Sequence, residues 1–325
     1  MIYLKMNDIN LDTIKKARER IKEFVRNTPL IHSEHLSQIC NGNVFLKLEN
    51  LQPTNSFKVR GAFNRLLQLS SEERRKGVVT ASSGNHAQGV ALAAENLKIS
   101  ARVVIPTNVS MAKLSKIKKY DVNIIQEGEF DTIEKKAREV SLKENLTYIS
   151  PYNDIEIITG QGTIALEVFE EIAQVNSIIV PIGGGGLISG IALAAKSLDP
   201  NIEVIGVQTK GASTMYESWK AGKIVYTKEF QTIAEGLLGG LELGALTFEL
   251  IKEYVDRIIL VDEDSVKSAI SLLWKKEGQI VEGAGATTVA CILEEKEIFA
   301  QKNVVAIISG GNIENSLFTE IIKRS

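Results

Sequence analysis

The sequence predicts an α/β protein whose open, mostly parallel sheets are flanked by helices. Two observations carry this. Short β-branched apolar runs alternate with amphipathic helical stretches along the 325 residues, the pattern that parallel strands with crossover helices produce. In addition, three loops that follow apolar runs are built of small polar residues and glycine: TASSGNHAQG (80–89), VPIGGGGLISG (180–190) and IISGGNIEN (307–315). Open α/β sheets bind ligands at the carboxyl ends of their strands, so function should sit in these loops. The length suits two lobes.

In chain order, LDTIKKARERIKEFV (11–25) spaces its apolar residues at helical intervals, and VFLKL (44–48) is the first strand-like run. NSFKVRGA (55–62) opens a helix. Strand, helix and strand then repeat as GVVTA (77–81), HAQGVALAAENL (86–97), ARVVIP (101–106), MAKLSKIKKY (111–120) and VNIIQ (122–126). Two helices follow, FDTIEKKAREVSLKE (130–144) and GTIALEVFEEIA (162–173). SIIVPI (177–182), LISGIALAAKSL (187–198), EVIGVQ (203–208) and RIILV (257–261) resume the alternation. SVKSAISLLWKKE (265–277) and GATTVACILEE (285–295) are helical, VVAIIS (304–309) is the last strand and IENSLFTEIIKR (313–324) the last helix. The uncharged stretch from Ile172 to Ala195 has the length of a membrane span. Pro181 and four consecutive glycines interrupt it, so it reads as strand, glycine loop and helix.

Apolar residues are 44% and charged residues 24% of the chain, with net charge −2. That balance offers no global field for nucleic acid or an anionic membrane. Two cysteines, Cys40 and Cys291, make neither a disulfide framework nor a zinc site and fit a reducing cytoplasm. The N-terminal segment becomes charged too early for a signal peptide.

Gly183-Gly184-Gly185-Gly186 follows an apolar strand and precedes a helix. Glycine lets an anion approach the backbone, and the helix start adds unpaired N–H groups. A dinucleotide fingerprint needs a third glycine five residues after the first. Ile188 and Ser189 occupy the two candidate positions. Leu187-Ile188-Ser189 also replaces the Gly-Lys-Ser/Thr of a nucleoside-triphosphate loop. A single phosphate on a smaller cofactor fits best. Ser82-Ser83-Gly84-Asn85-His86 precedes another helix and suits a carboxylate, although such a turn is by itself an ordinary helix cap.

The order SFKVRGA, SSGNHAQG, GQGTIALE (160–167), GGGGL, TIAEGL (232–237) and SGGN (309–312) resembles the threonine/serine dehydratase and serine racemase branch of fold type II (tryptophan synthase β-like) pyridoxal-phosphate enzymes. The resemblance runs from about Thr28 to Asn315. It implies that pyridoxal 5'-phosphate is the cofactor and that Lys58 bonds its aldehyde, with Phe57 packed on the pyridine ring. It implies that Asn85 bonds the 3-hydroxyl, that Gly183, Gly184, Gly185, Gly186 and Leu187 cradle the phosphate, and that Ser309 faces the ring nitrogen. Ser82, Ser83, Asn85 and His86 would hold the substrate carboxylate. Lys58 would remove the α-proton, the β-hydroxyl would leave, and a 2-oxo acid and ammonia would be released. Residues 50–147 would form a small domain with the carboxylate loop, and residues 1–49 and 148–325 a large domain gripping the phosphate. The partner is then a small hydroxy amino acid, and the assembly a homodimer or homotetramer.

Several positions depart from the family pattern. Asn55 stands where many relatives have glycine, and asparagine tolerates the left-handed backbone that glycine allows. Gln208 and Thr214 stand where cation-binding relatives carry acids, so no metal is expected. Glu282 is kept while its usual proline neighbour is lost. The loop 232–248 and the segment SPYND (150–154), expected near the substrate side chain, leave the hydroxy amino acid open. A racemase needs an acid opposite the lysine, and Ser83 occupies that position. The sequence ends at Ser325, so no C-terminal regulatory domain is expected. Outside this class stand a nucleotide-dependent oxidoreductase, disfavoured by the glycine spacing, and a cofactor-binding protein without turnover.

Overall fold

The computed structural model describes residues 8–228 and 230–324. The first seven residues of the segment read as lacking a signal peptide lie outside the described residues. Among the described residues, ten strands form two sheets. The larger is ordered β1-β2-β10-β7-β8-β9, from β1 (Leu30–Ser33), β2 (Asn43–Lys47), β7 (Ser177–Pro181), β8 (Glu203–Thr209), β9 (Arg257–Val261) and β10 (Asn303–Ile307). The smaller is ordered β5-β4-β3-β6, from β3 (Val78–Ala81), β4 (Ala101–Ile105), β5 (Asn123–Gln126) and β6 (Thr147–Tyr148). Every neighbouring pair is parallel except β1 with β2. The parallel, doubly covered arrangement is the one the alternation predicts.

The helices are α1 (Leu11–Ile21), α2 (Glu34–Cys40), α3 (Lys58–Leu67), α4 (Ser71–Lys76), α5 (Asn85–Leu97), α6 (Met111–Ile117), α7 (Ile133–Glu144), α8 (Ile155–Glu171), α9 (Gly186–Leu198), α10 (Thr214–Ala221), α11 (Leu246–Tyr254), α12 (Glu263–Glu277), α13 (Gly283–Glu294) and α14 (Asn315–Arg324). One face of the large sheet packs on α8, α9 and α11 through Ile178, Val180, Ile188, Ile191 and Ile251. The other packs on α12 and α13 through Ile179, Ile205, Ile270 and Val289. Each such fully buried side chain contributes ~1.5–3 kcal/mol. The small sheet is covered by α3 and α5 on one side and α7 on the other. The stretch 172–195 folds as β7, glycine loop and α9. Among the described residues no helix is long and apolar enough to cross a membrane.

The structure extends the helix expected at 162–173 back to Ile155. Asp154 caps it, accepting from the N–H groups of Glu156 (2.8 Å) and Ile157 (3.3 Å). Its glycines are helical because neighbouring helices touch there. A Cβ on Gly160 would lie 2.6 Å from the Gly61 Cα of α3, and one on Gly162 2.8 Å from the Gly190 carbonyl of α9. This contact ties α3, which leads into the small sheet, to the helices under the large one. β6 (Thr147–Tyr148) is the last strand of the small sheet in the chain and pairs with β3.

Candidate active site

Lys58 is the first residue of α3. The turn before it is stitched to the end of β10: the Phe57 N–H donates to the Ser309 carbonyl (3.1 Å) and the Gly311 N–H to the Asn55 carbonyl (2.9 Å). Asn55 has φ +54°, the left-handed conformation that suits asparagine. Arg60, two residues on, is fully buried. It donates to both Glu49 oxygens (2.8 Å each) and to Glu167 (2.6 and 2.8 Å). Lys47 completes the quartet at 2.8 Å from Glu167. The arginine of SFKVRG is thus an anchor for the helix that presents the lysine. On the opposite side a Cβ on Gly89 of α5 would lie 3.2 Å from the Lys58 carbonyl, so α5 seats directly on the head of α3.

The Lys58 residue is half-buried, but its amine lies deep. Nζ donates to the Pro151 carbonyl (2.7 Å) and stands 5.1 Å from the centre of the Phe57 ring. Burial lowers its pKa to about 8, with Glu282 opposing the shift. A lysine so placed exists partly as free amine near neutral pH, the form a carbonyl-reactive nucleophile requires.

Ser82, Ser83, Asn85 and His86 come together at the head of α5, where the first N–H groups of the helix lack intrahelical partners. Ser82 is fixed by its N–H on the Val104 carbonyl (3.1 Å) and accepts from the Gly84 N–H through Oγ (3.1 Å). Asn85 donates from Nδ2 to Glu282 (2.6 Å) and accepts at Oδ1 from Asn312 (2.8 Å). The Asn312 N–H reaches the other Glu282 oxygen (3.1 Å). This triangle fixes which way the Asn85 amide points and leaves one of its N–H bonds for a ligand. Burial pushes the Glu282 carboxyl above the ordinary carboxylate range, against its bonds to Asn85 and Asn312. The His86 ring turns inward, Nε2 lying 3.3 Å from the Ile149 carbonyl, so what it offers an anion at the loop is its main-chain N–H.

Gly183 to Gly186 join β7 to α9, with Gly185 at φ +91°. A Cβ on Gly184 would come within 2.4 Å of the Tyr152 ring, and one on Gly183 within 3.1 Å of the Gly236 carbonyl. The cradle therefore has no room for a side chain at Gly184 and little at Gly183. Gln208 braces it from behind, donating to the Ile182 carbonyl (3.1 Å) and accepting from the Tyr216 N–H (2.7 Å). Among the described residues, no group of three or more His, Cys, Asp or Glu is placed to hold a metal ion. Ser309 is buried at the end of β10, where its carbonyl holds the Phe57 N–H. Tyr152 of SPYND backs the cradle. Its neighbour Asn153 bonds Glu242 (3.0 Å) and the Leu246 N–H (2.9 Å).

The segment between α10 and α11 reaches two helices of the small-sheet half, α6 and α7. Glu235 pairs with Lys113 of α6, and Glu242 with Arg138 of α7 (2.8 Å). Beside it Lys116 bonds the Asn312 side chain (3.1 Å) and Ser110 bonds Glu314 (2.7 Å).

A lysine amine, a glycine cradle at a helix start, a fixed asparagine amide and a buried serine thus converge from both sheets. Residues 21–310 match the family described as pyridoxal-phosphate dependent enzyme. This chain is a pyridoxal-phosphate-dependent enzyme. Its fold is the fold type II arrangement, and the resemblance read from the motifs holds. The L-threonine ammonia-lyase of Thermotoga maritima is 42% identical over 97% of this chain and 79% of its own length. A catabolic L-threonine dehydratase of Staphylococcus aureus is 43% identical over 97% and 92%. The maize serine racemase structure superposes with TM-score 0.91 at 36% identity, covering 97% of each chain. The donor set suits the cofactor: an amine for its aldehyde, N–H groups of a side-chain-free cradle for its phosphate, and an amide for its hydroxyl. Sequence reading gave no role to Arg60 or Asn312, and it placed SPYND near the substrate without foreseeing that the Pro151 carbonyl holds Lys58 and that Tyr152 backs the cradle. The one available signal was the buried-arginine position inside SFKVRG, since an arginine flanked by Val59 and Gly61 on a helix face that packs must find carboxylates.

Proposed function

We propose that this enzyme eliminates water from L-threonine, L-serine or a related β-hydroxy amino acid, releasing a 2-oxo acid and ammonia. The observation that carries the reading is the Lys58 amine, set deep beside Pro151 with its pKa lowered to about 8, in a chain 42–43% identical to enzymes named for threonine. Bound here, the cofactor supplies an electron sink for the substrate α-carbon. Lys58 would bond its aldehyde, Gly183 to Gly186 and the Leu187 N–H its phosphate, Asn85 its hydroxyl, and Phe57 would pack against its ring. The Ser309 hydroxyl, a neutral partner for the ring nitrogen, tempers the sink. The helix start at Ser82 to His86 orients the substrate carboxylate, and Lys58 Nζ takes the α-proton.

Residues 50–147 act as the small domain, closing against the large domain made by 1–49 and 148–325. The working form is a cytoplasmic homodimer or homotetramer. The test is 2-oxo acid release from L- and D-threonine, L- and D-serine and bulkier β-hydroxy amino acids, with Lys58→Ala alongside. Release that disappears in the variant supports the reading; a wild-type protein that binds cofactor yet releases nothing overturns it. Ser83 at the carboxylate loop and the likeness to maize serine racemase favour racemisation as the second reading, followed by optical rotation of L-serine.

A further inference from the structure

His86 carries a buried atom without a partner. The residue has a relative exposure of 3%, and Nδ1 makes no hydrogen bond. The carbonyl of Ile149 can only accept, so Nε2 carries the proton in this contact. Burial and the nearby Lys58 charge hold the ring pKa down at about 3, so Nδ1 is a bare lone pair at any working pH. Its place is defined by the packing. Gly89, one turn on in α5, lies against the Lys58 backbone, and residues three apart share a helix face. The same short segment supplies both restraints: Ile149 holds His86 and Pro151 holds Lys58.

We propose that His86 is a positioning residue for Lys58, its Ile149-locked ring presenting Nδ1 to accept a hydrogen bond from the lysine ammonium once Lys58 holds the substrate's α-proton. This rests on the reading of Lys58 given above. Buried acceptors are rarely left unpaired, and of the groups bearing on Lys58, Glu282 at the head of α13 is already bonded to Asn85 and Asn312. A hydrogen bond stabilises a charged donor more than a neutral one, so Nδ1 keeps the Lys58 ammonium accessible in a site whose burial opposes it.

Two variants separate the ring nitrogens. His86→Gln keeps a donor at the Nε2 position and loses the Nδ1 acceptor; His86→Asn keeps an acceptor at the Nδ1 position and loses the donor. The readout is the pH midpoint of Lys58 acylation by acetic anhydride in the cofactor-free protein, followed by peptide mass spectrometry. It is independent of which amino acid the enzyme accepts. His86→Gln should lower the midpoint by about 0.7 unit, the gap between charged and neutral hydrogen bonds, and His86→Asn should leave it near the wild-type value. Equal midpoints in all three proteins, or equal shifts in both variants, would overturn the proposal. Should either variant fail to fold, 15N-histidine spectra of the wild type and Lys58→Ala decide. An unmoved His86 Nδ1 resonance refutes the coupling and a displaced one supports it.

Discussion

Replacing Arg60 by methionine tests the anchor beneath Lys58. The guanidinium makes four contacts of 2.6–2.8 Å with Glu49 and Glu167, and its removal leaves Glu49 buried with only the Thr28 hydroxyl (2.6 Å) and the Gln52 amide (3.3 Å) close by. Breaking a buried ion pair costs ~3–5 kcal/mol, while Lys47 still neutralises Glu167. In the wild type burial would lift the Glu49 carboxyl, but Arg60 overrides it and holds the pKa below the ordinary value. That contribution is present above the unfolded value of ~4.3 and is lost only as pH falls through the depressed folded value. In Arg60→Met only the Thr28 hydrogen bond and the Lys47 charge still oppose burial, so the folded pKa of Glu49 rises and the penalty is relieved by acid. Between pH 7 and pH 5 the relief is at most ~2.7 kcal/mol, at ~1.36 kcal/mol per unit. Urea denaturation of the cofactor-free protein by circular dichroism should therefore show a deficit of ~3–5 kcal/mol at pH 7 that shrinks at pH 5. A deficit below ~1 kcal/mol, the range of an exposed pair, or one equal at both pH values, would refute the reasoning.

Three further outcomes follow from the site. Glu282→Gln frees the Asn85 amide to rotate and should cut turnover ~10–100-fold, the effect of ~1 Å misplacement, with little change in melting temperature; unaltered steady-state kinetics would dismiss the triangle. Gly184→Ala drives a methyl into the Tyr152 ring and should cost ~1–3 kcal/mol, read as weaker cofactor retention in a visible-absorbance titration. Asn55→Ala should lower stability by ~1 kcal/mol because alanine is strained in the left-handed region, whereas Asn55→Gly should hold or gain in the same thermal melt.

The strands and helices that sequence made legible are those with long periodic patterns and glycine loops at their ends. β1 escaped because four residues with Leu30 and Ile31 half-exposed make no recognisable run, and its antiparallel pairing with β2 depends on a partner far more than on propensity. β6 is two residues long. α4 has no buried residue and declares itself only through the Ser70–Glu73 capping box. α10 and α11 lie in the glycine-rich region where local signals conflict. At the site, Lys58 and the glycine cradle were legible because chemistry restricts residue type there. The inward turn of His86 and the Asn85–Glu282–Asn312 triangle were not, because they join segments 63, 197 and 227 residues apart and follow from packing that no local pattern encodes.

The two ion pairs at the rim, Glu235 with Lys113 and Glu242 with Arg138, fasten one glycine-rich segment to two helices on opposite sides of the small sheet. At Gly240 and Gly244, in or beside that span, an added Cβ would meet nothing within 4 Å. Surface pairs weaken as salt rises, whereas the lysine, the cradle and the amide triangle draw on bonds away from bulk ions. The ties between this segment and the small sheet and the bonds of the reacting centre are therefore governed by different forces. Drift in those surface charges can retune how firmly the segment holds the small sheet while the reacting centre stays as it is.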